Sequence, residues 1–292
     1  MLQWRLLFGA VFIGALVELV RLDLAATPGT WLLPLAMVVA LGAAHEVFTL
    51  LSHAGFRPLA GVVYGGSLLV VASNAIPLFL FSSSDDRPSV TLGWPLLAFG
   101  LVLVAAFVGE MSRYRRPGGV TVQVALSIFA VAYVGLLLSF VVQLRTLGGP
   151  VAGMMHLLAL IVVVKMSDTG AYIVGRLIGS RKMAPVLSPG KTIEGGIGAL
   201  VFACFGAWLS YTYLPLWLEC NRPDHPWGWL LFGLAVGLAG ILGDLAESLL
   251  KRDLGAKDSS TWMPGFGGVL DLVDSIIFAA PVAYLCAVLQ ST

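Results

Sequence analysis

Nine stretches of this chain are long and apolar enough to cross a lipid bilayer, and they leave few architectures open. They run over 3–21, 31–52, 59–82, 91–111, 120–144, 151–175, 194–215, 228–250 and 268–290. A spanning helix needs about 20 mostly apolar residues. Spanning strands would alternate lipid-facing and inward-facing residues, and runs such as LLAFGLVLVAAFVG do not. The expected fold is therefore all-α: a polytopic membrane protein of about nine transmembrane helices. Composition agrees, with 58% hydrophobic and 11% charged residues, against about 25% charged in a soluble domain. The expected organisation is five spans in residues 1–150 and four in 151–292, the latter carrying the chemistry. No internal repeat is visible, and no connection is long enough for a soluble domain.

The first apolar run carries Arg5, Glu18 and Arg21 and reads as a retained helix rather than a cleaved leader. Cys204, Cys220 and Cys286 are far apart and read as small hydrophobes, with neither a disulfide framework nor a zinc spacing. Charge placement predicts orientation. Arg57, Arg113, Arg115, Arg116, Arg176, Arg181, Lys182, Lys191, Lys251, Arg252 and Lys257 fall on the same side as Arg5, while Arg21, Arg87, Arg145 and Arg222 fall on the other. The positive-inside rule then puts the N-terminus and the 176–193 and 251–267 loops in the cytoplasm and the C-terminus outside. Trp31, Trp94, Trp217, Trp227 and Trp229 stand near the opposite ends of spans, as interfacial anchors do. Asp85 and Asp86 read as a solvated turn.

Two loops on the basic side concentrate the chemistry. The stretch DTGAYIVGRLIGSRKMAPVLSPGKTIEGG opens with Asp168, one turn after Lys165 inside an apolar helix. It ends with Ser188, Pro189 and Gly190 as an expected turn, and Lys191 and Thr192 at a helix entrance. Main-chain N–H groups, a hydroxyl and a lysine together suit an anionic phosphate. The spacing is not that of a Walker loop.

The second stretch, GDLAESLLKRDLGAKDSSTWMPGFGGVLDLVDS, spans 243–275. Asp244, Glu247 and Ser248 share a helix face, and Asp271, Asp274 and Ser275 repeat the spacing on the last span. An Asp at the centre of a span costs roughly 2.5–3.5 kcal/mol to insert, so such acids need a partner. One partner is an ion-pair network of Asp244 or Glu247 with Lys251 and of Asp271 or Asp274 with Arg252. The other is a divalent cation. Oxygen ligands without His or Cys suit Mg²⁺ holding a phosphorylated substrate, with a second cation left open. Elsewhere, Glu18 pairs with Arg21 or snorkels. His45 and Glu46 read as capping or interface residues, and His156 as a packing histidine.

These residues resemble the phosphatidate cytidylyltransferase (CDP-diacylglycerol synthase) family. The resemblance rests on DTGAY at 168–172 with Gly175 and Arg176, on SPGKTIEG at 188–195, and on GDLAES at 243–248. It extends through Lys251, Arg252, Lys257, Asp258, Pro264, Gly265, Gly267, Gly268, Asp271 and Asp274. The close match covers about the last 125 residues. It implies CMP transfer from CTP to phosphatidic acid, giving CDP-diacylglycerol and pyrophosphate in phospholipid biosynthesis.

For the site, the resemblance implies Mg²⁺ held by Asp244 and Asp271 with support from Asp274 and Glu247, and by Asp168 unless that acid anchors Lys191 instead. Arg176, Ser188, Lys191, Thr192 and Glu194 would serve CTP. Ser248, Lys251, Arg252, Lys257 and Asp258 would face the lipid phosphate or the leaving pyrophosphate. Asp244, Asp271, Lys191, Lys251 and Arg252 are the expected catalytic group. The expected partners are CTP and membrane phosphatidic acid, with no nucleic acid and a homodimer left open, in the cell's inner (cytoplasmic) membrane. Two positions depart from the family pattern: Phe266 replaces a His, and Leu272 an Arg. The competing readings are a cytidylyltransferase for another lipid phosphate and an ion-coupled transporter with midplane acids.

Overall fold

The computed structural model describes residues 2–80, 88–115, 117–220, 227–256, 260 and 267–291, with side chains described from residue 14 and not at 78–80, 88–91 and 291. Helices occupy all nine apolar stretches. Helix α1 is Leu2–Ala25, α2 Leu32–His53, α3 Ala60–Ala72, α4 Ala75–Leu80, α5 Pro88–Arg113 and α6 Val120–Val131. A π-turn over Ala132–Leu136 leads into α7, Leu137–Thr146. Then come α8, Pro150–Ile178, strands β1 (Lys182–Ala184) and β2 (Ser188–Thr192), α9, Ile193–Leu218, α10, Gly228–Asp253, and α11, Val269–Ser291.

Among the described residues, eight helical segments are long and apolar enough to cross a membrane, two of them running on from α3 into α4 and from α6 into α7. Their outer faces are apolar too. Leu96, Leu97, Leu101, Val104, Phe107 and Val108 of α5 are all more than half exposed. A row of that size facing water would be a sticky patch, whereas facing lipid it costs nothing. This is a multi-pass, all-α membrane protein.

The chain divides into two compact units, residues 1–143 with 254–272, and 144–253 with 273–292. In the first, Val70, Ala98, Val102 and Val131 form a packed cluster. Gly66 lies so close to it that an added Cβ would sit 2.7 Å from Val102 Cγ1. Asp23, fully buried at the end of α1, accepts from the N–H groups of Gly29, Trp31 and Leu32 and so closes the α1–α2 turn.

The apolar run at 59–82 does not form one continuous helix. It breaks between α3 and α4 at Ser73 and Asn74, and polar side chains repair the ladder there. Asn74 Nδ2 donates to the carbonyls of Val70 and Val71, Ser73 Oγ donates to Val70 O, and Gln143 Nε2 donates to Asn74 Oδ1. Carbonyls released by a break inside a membrane must be satisfied by protein. The π-turn lies opposite, where Gly135 admits the α3 backbone: a Cβ there would stand 3.0 Å from Ser67 Cα.

In the second unit, α8 and α9 pack closely through small residues, as membrane helices do. A Cβ on Gly170 would sit 2.5 Å from Phe202 Cβ and 2.6 Å from Gly198 O, and one on Gly198 would sit 2.5 Å from Val174 Cβ. Gly237 brings α10 against Ala203 of α9 in the same way. Arg145, expected in a connection outside the spans, is instead 1% exposed at the end of α7 and donates to Pro150 O at 2.8 Å.

The stretch 188–190, expected as a turn, is strand β2. It pairs antiparallel with β1, Lys182 opposite Thr192 and Ala184 opposite Ser188, and the turn falls at 185–187.

Because the α8–α9 contact is backbone against backbone at Gly170, Gly170→Leu should destabilise the protein by roughly 1–3 kcal/mol, the usual cost of overpacking. Thermal unfolding in detergent reads this, and an unchanged Tm would contradict the contact.

Candidate active site

The second unit gathers charge at one place, and glycine makes that possible. Gly243, next to Asp244 on α10, faces α11 so closely that a Cβ would meet Phe278 Cβ at 2.6 Å and Asp274 O at 3.0 Å. Two helices that approach this far bring their acids together. Asp244, Glu247 and Asp274 each offer a carboxylate oxygen within 4.8 Å of the others. Glu247 and Asp274 are buried, and Asp244 is half-buried. Glu247 and Asp274 are in side-chain hydrogen-bond contact, and Asp274 Oδ1 accepts from the main-chain N–H and the hydroxyl of Ser275. Two carboxylates in contact require a shared proton or a cation between them.

Lysines supply part of the counter-charge. Lys191 Nζ lies 2.7 Å from Asp244 Oδ2, reaching the cluster from the end of β2. The approach is outside hydrogen-bond geometry, so the ion pair leaves the ammonium donors for another acceptor. Lys251 Nζ donates to Glu247 Oε2 at 2.8 Å, one turn along α10. On α8, Lys165 pairs with Asp168 at 3.3 Å, and Asp168 lies within electrostatic reach of Asp244 and Lys191. Among the described residues, four carboxylates stand beside three ammonium groups, in a donor set made wholly of oxygen. Such a set fits a hard divalent cation such as Mg²⁺.

The loop that delivers Lys191 is held by its own side chains. Thr192 caps α9, its Oγ1 accepting from Gly195 N at 3.1 Å. Gly175 and Gly179 leave room for that hydroxyl. Glu194 accepts from Ser180 N, Ser180 Oγ and Arg181 N, clamping the start of the hairpin to the start of α9. Ser188 is half-buried in β2, and Arg176 is exposed on α8, its guanidinium 6.0 Å over the Tyr172 ring. Ser248 is half-buried on α10, and Arg252 Nε donates to Leu187 O at 3.3 Å, tying α10 to the hairpin turn.

Asp271 belongs to the first unit and stands in the opening turn of α11, where its Oδ2 accepts from Gly268 N at 2.7 Å. Gly267, at φ +83°, makes the turn before it. Leu272 follows on the helix, while Lys257, Asp258 and Phe266 lie outside the described residues.

Sequence spacing anticipated the Asp244–Glu247 face and the Glu247–Lys251 pair. It did not anticipate the clamp made by Glu194, whose partners lie thirteen and fourteen residues upstream. The nearest signal was the acid itself, placed just inside a helix N-terminus where main-chain donors cluster. The pairing of Lys191 with Asp244 was equally hidden, because it depends on how the hairpin folds back.

A family model described as the cytidylyltransferase family matches residues 4–289. A phosphatidate cytidylyltransferase of Staphylococcus haemolyticus (strain JCSC1435) is 32% identical over 254 residues, 87% of this chain and 88% of its own. Those of Staphylococcus saprophyticus subsp. saprophyticus and Staphylococcus aureus (strain COL) are 33% and 35% identical, over 64% of this chain and 66% of theirs.

If the cluster holds a divalent cation in competition with Lys191, removing that ammonium changes both stability and cation response. Lys191→Met should lose roughly 1–3 kcal/mol of stability in EDTA, the cost of stranding a partly buried partner. Mn²⁺ should recover more of the Tm in the variant than it adds to the parent. Unfolding curves with and without Mn²⁺ decide this, and no cation-dependent shift in either protein would count against the site.

Proposed function

The chain belongs to the cytidylyltransferase family, and from that membership we propose that it transfers CMP from CTP to phosphatidic acid, forming CDP-diacylglycerol and pyrophosphate. The observation that carries the reading to particular atoms is the acidic cluster of Asp244, Glu247 and Asp274 bordered by Lys191 and Lys251. A phosphate oxygen of phosphatidate attacks the α-phosphorus of CTP. The new P–O bond forms in line with the breaking bond to the β-phosphate oxygen, and pyrophosphate leaves with that electron pair. No covalent enzyme intermediate is needed, so catalysis is positioning plus charge neutralisation.

We assign the residues accordingly. Lys191, whose ammonium donors are not used up by Asp244, binds CTP phosphate oxygens together with Ser188 and Arg176. Thr192 and Glu194 fix the hairpin from which Lys191 reaches in. Lys251, Arg252, Ser248, Lys257 and Asp258 attend the lipid phosphate and the departing pyrophosphate. Asp244, Glu247 and Asp274, with Asp168 beside them, are the proposed ligands of Mg²⁺, and the family resemblance assigns a metal role to Asp271 as well. Bound there, the ion would hold phosphate oxygens and offset the charge that builds on the α-phosphoryl group and pyrophosphate. CTP arrives from water and phosphatidate from the leaflet. The distribution of Lys and Arg supports a site on the cytoplasmic face of the inner membrane, with the N-terminus inside and the C-terminus outside.

Purified protein given labelled CTP, phosphatidate and Mg²⁺ should yield CDP-diacylglycerol. Parallel reactions with other lipid phosphates distinguish the substrate, and folded protein that makes no nucleotide–lipid product with any of them refutes the reaction. Asp274→Asn should lower kcat by about 100-fold or more while the protein stays inserted, as expected for loss of a group acting on developing charge; turnover close to the parent's would remove Asp274 from the site. Orientation is separately testable at Val186, 85% exposed in the hairpin turn. In protein first stripped of its own cysteines, Val186→Cys should react with an impermeant maleimide in inside-out vesicles and not in intact cells. The reverse pattern inverts the topology.

A further inference from the structure

The first turn of α11 is held by an acid more than two hundred residues away. Glu46, 4% exposed on α2, accepts from Val269 N through Oε1 and from Leu270 N through Oε2, both at 2.8 Å. Asp271 closes the same turn by accepting from Gly268 N. Three successive main-chain donors at the start of this helix are thus spoken for by two carboxylates. One turn earlier on α2, Gly42 seats Val269: a Cβ on Gly42 would stand 3.0 Å from Val269 Cγ2. The α2 helix therefore grips the start of α11 at two points, one packed and one charged.

The energetic logic is specific. A carboxylate buried among membrane helices is costly, and main-chain N–H groups at a helix N-terminus are both unsatisfied and partially positive. Each relieves the other. An apolar residue at 46 would leave two buried donors without acceptors. Bidentate geometry also steadies the turn: with Glu46 on the N–H groups of Val269 and Leu270, the backbone that carries Asp271 is held where its carboxylate meets Gly268 N. A single neutral acceptor would leave that turn free to rock. The helix N-terminus is at the same time closed to a phosphate, so it does not act as an anion cradle here.

We propose that Glu46 is a positioning residue for the transfer reaction, acting by locking the first turn of α11 and so aiming the carboxylate of Asp271. The role rests on the reaction proposed above. Both carboxylate oxygens of Glu46 are engaged with main chain, so its part is positional. Its removal acts on the chemical step through Asp271 and leaves CTP binding in place.

The experiment compares full-length parent, Glu46→Gln and a control, Gly66→Ala, which perturbs the packing of the same unit against Val102. Gln is isosteric but can accept at only one of the two N–H groups. Glu46→Gln should lower kcat about tenfold, the lower end of what loss of a supporting hydrogen bond behind a ligand costs. KM for CTP should stay within about twofold of the parent under the same reasoning. Gly66→Ala, at equal or greater loss of Tm, should keep its kcat. Amide exchange at Val269 and Leu270 should quicken in Glu46→Gln alone.

Two results overturn the role while leaving the reaction standing: an active parent whose Glu46→Gln variant keeps kcat, or equal kcat losses in the variant and the control. A parent with no turnover on any lipid phosphate removes the reaction and the role together, and faster exchange in the variant would then report only a cap.

Discussion

Charge placed among apolar helices must be matched locally, because neither lipid nor packed side chains can screen it as water does. In the second unit that requirement connects nearly everything near the candidate site. Asp244 draws in Lys191, and Lys191 can reach it only if the hairpin folds back as it does. Glu247 holds Lys251 on its own helix, and Asp274 takes two hydrogen bonds from Ser275. Carboxylate oxygen and ammonium groups therefore stand side by side, and the proposed metal-bound polyphosphate rests on that arrangement.

The small residues decide whether such an arrangement is reachable. Gly243, Gly170, Gly198 and Gly237 each stand where a Cβ would collide with a neighbouring helix. Their contribution is distance: they let α8, α9, α10 and α11 approach until side chains as short as Asp meet. The unit that holds α2 and α3 uses the same device at Gly42, Gly66 and Gly135. Packing through small residues and matching of charge are thus one design, since the second cannot occur without the first.

Much of this was legible in the residues, and the failures have a common cause. Run length and hydropathy located all eight candidate spans among the described residues, because the bilayer imposes that pattern on each segment separately. The i, i+3 and i, i+4 spacings placed Asp244 with Glu247 and Glu247 with Lys251, because helix geometry is local. The break at Asn74 was invisible because its support comes from Ser139 and Gln143, 65 and 69 residues away. The strand at 188–192 was masked by Pro189 and Gly190, which read as a turn until β1 pairs with them. Arg145 looked like a loop residue because its acceptor is a carbonyl, and carbonyls leave no mark in a sequence. Asp23 escaped for the same reason, as it binds main-chain N–H groups, and Glu46 was legible as a capping or interface residue but its partners on α11 were not.

The bond between Glu46 and the start of α11 also has a consequence for biogenesis. Its partners are separated by 223 and 224 residues. At a synthesis rate of about 5–20 residues per second, α2 is made roughly 10–45 s before α11 exists. Throughout that interval the carboxylate of Glu46 has no helix N-terminus to cap. The charge in α2 must therefore be carried by water, a proton or an insertion factor until the last span arrives. Arrival of α11 is then the event that dries this corner of the protein, so its assembly waits on nearly the whole chain.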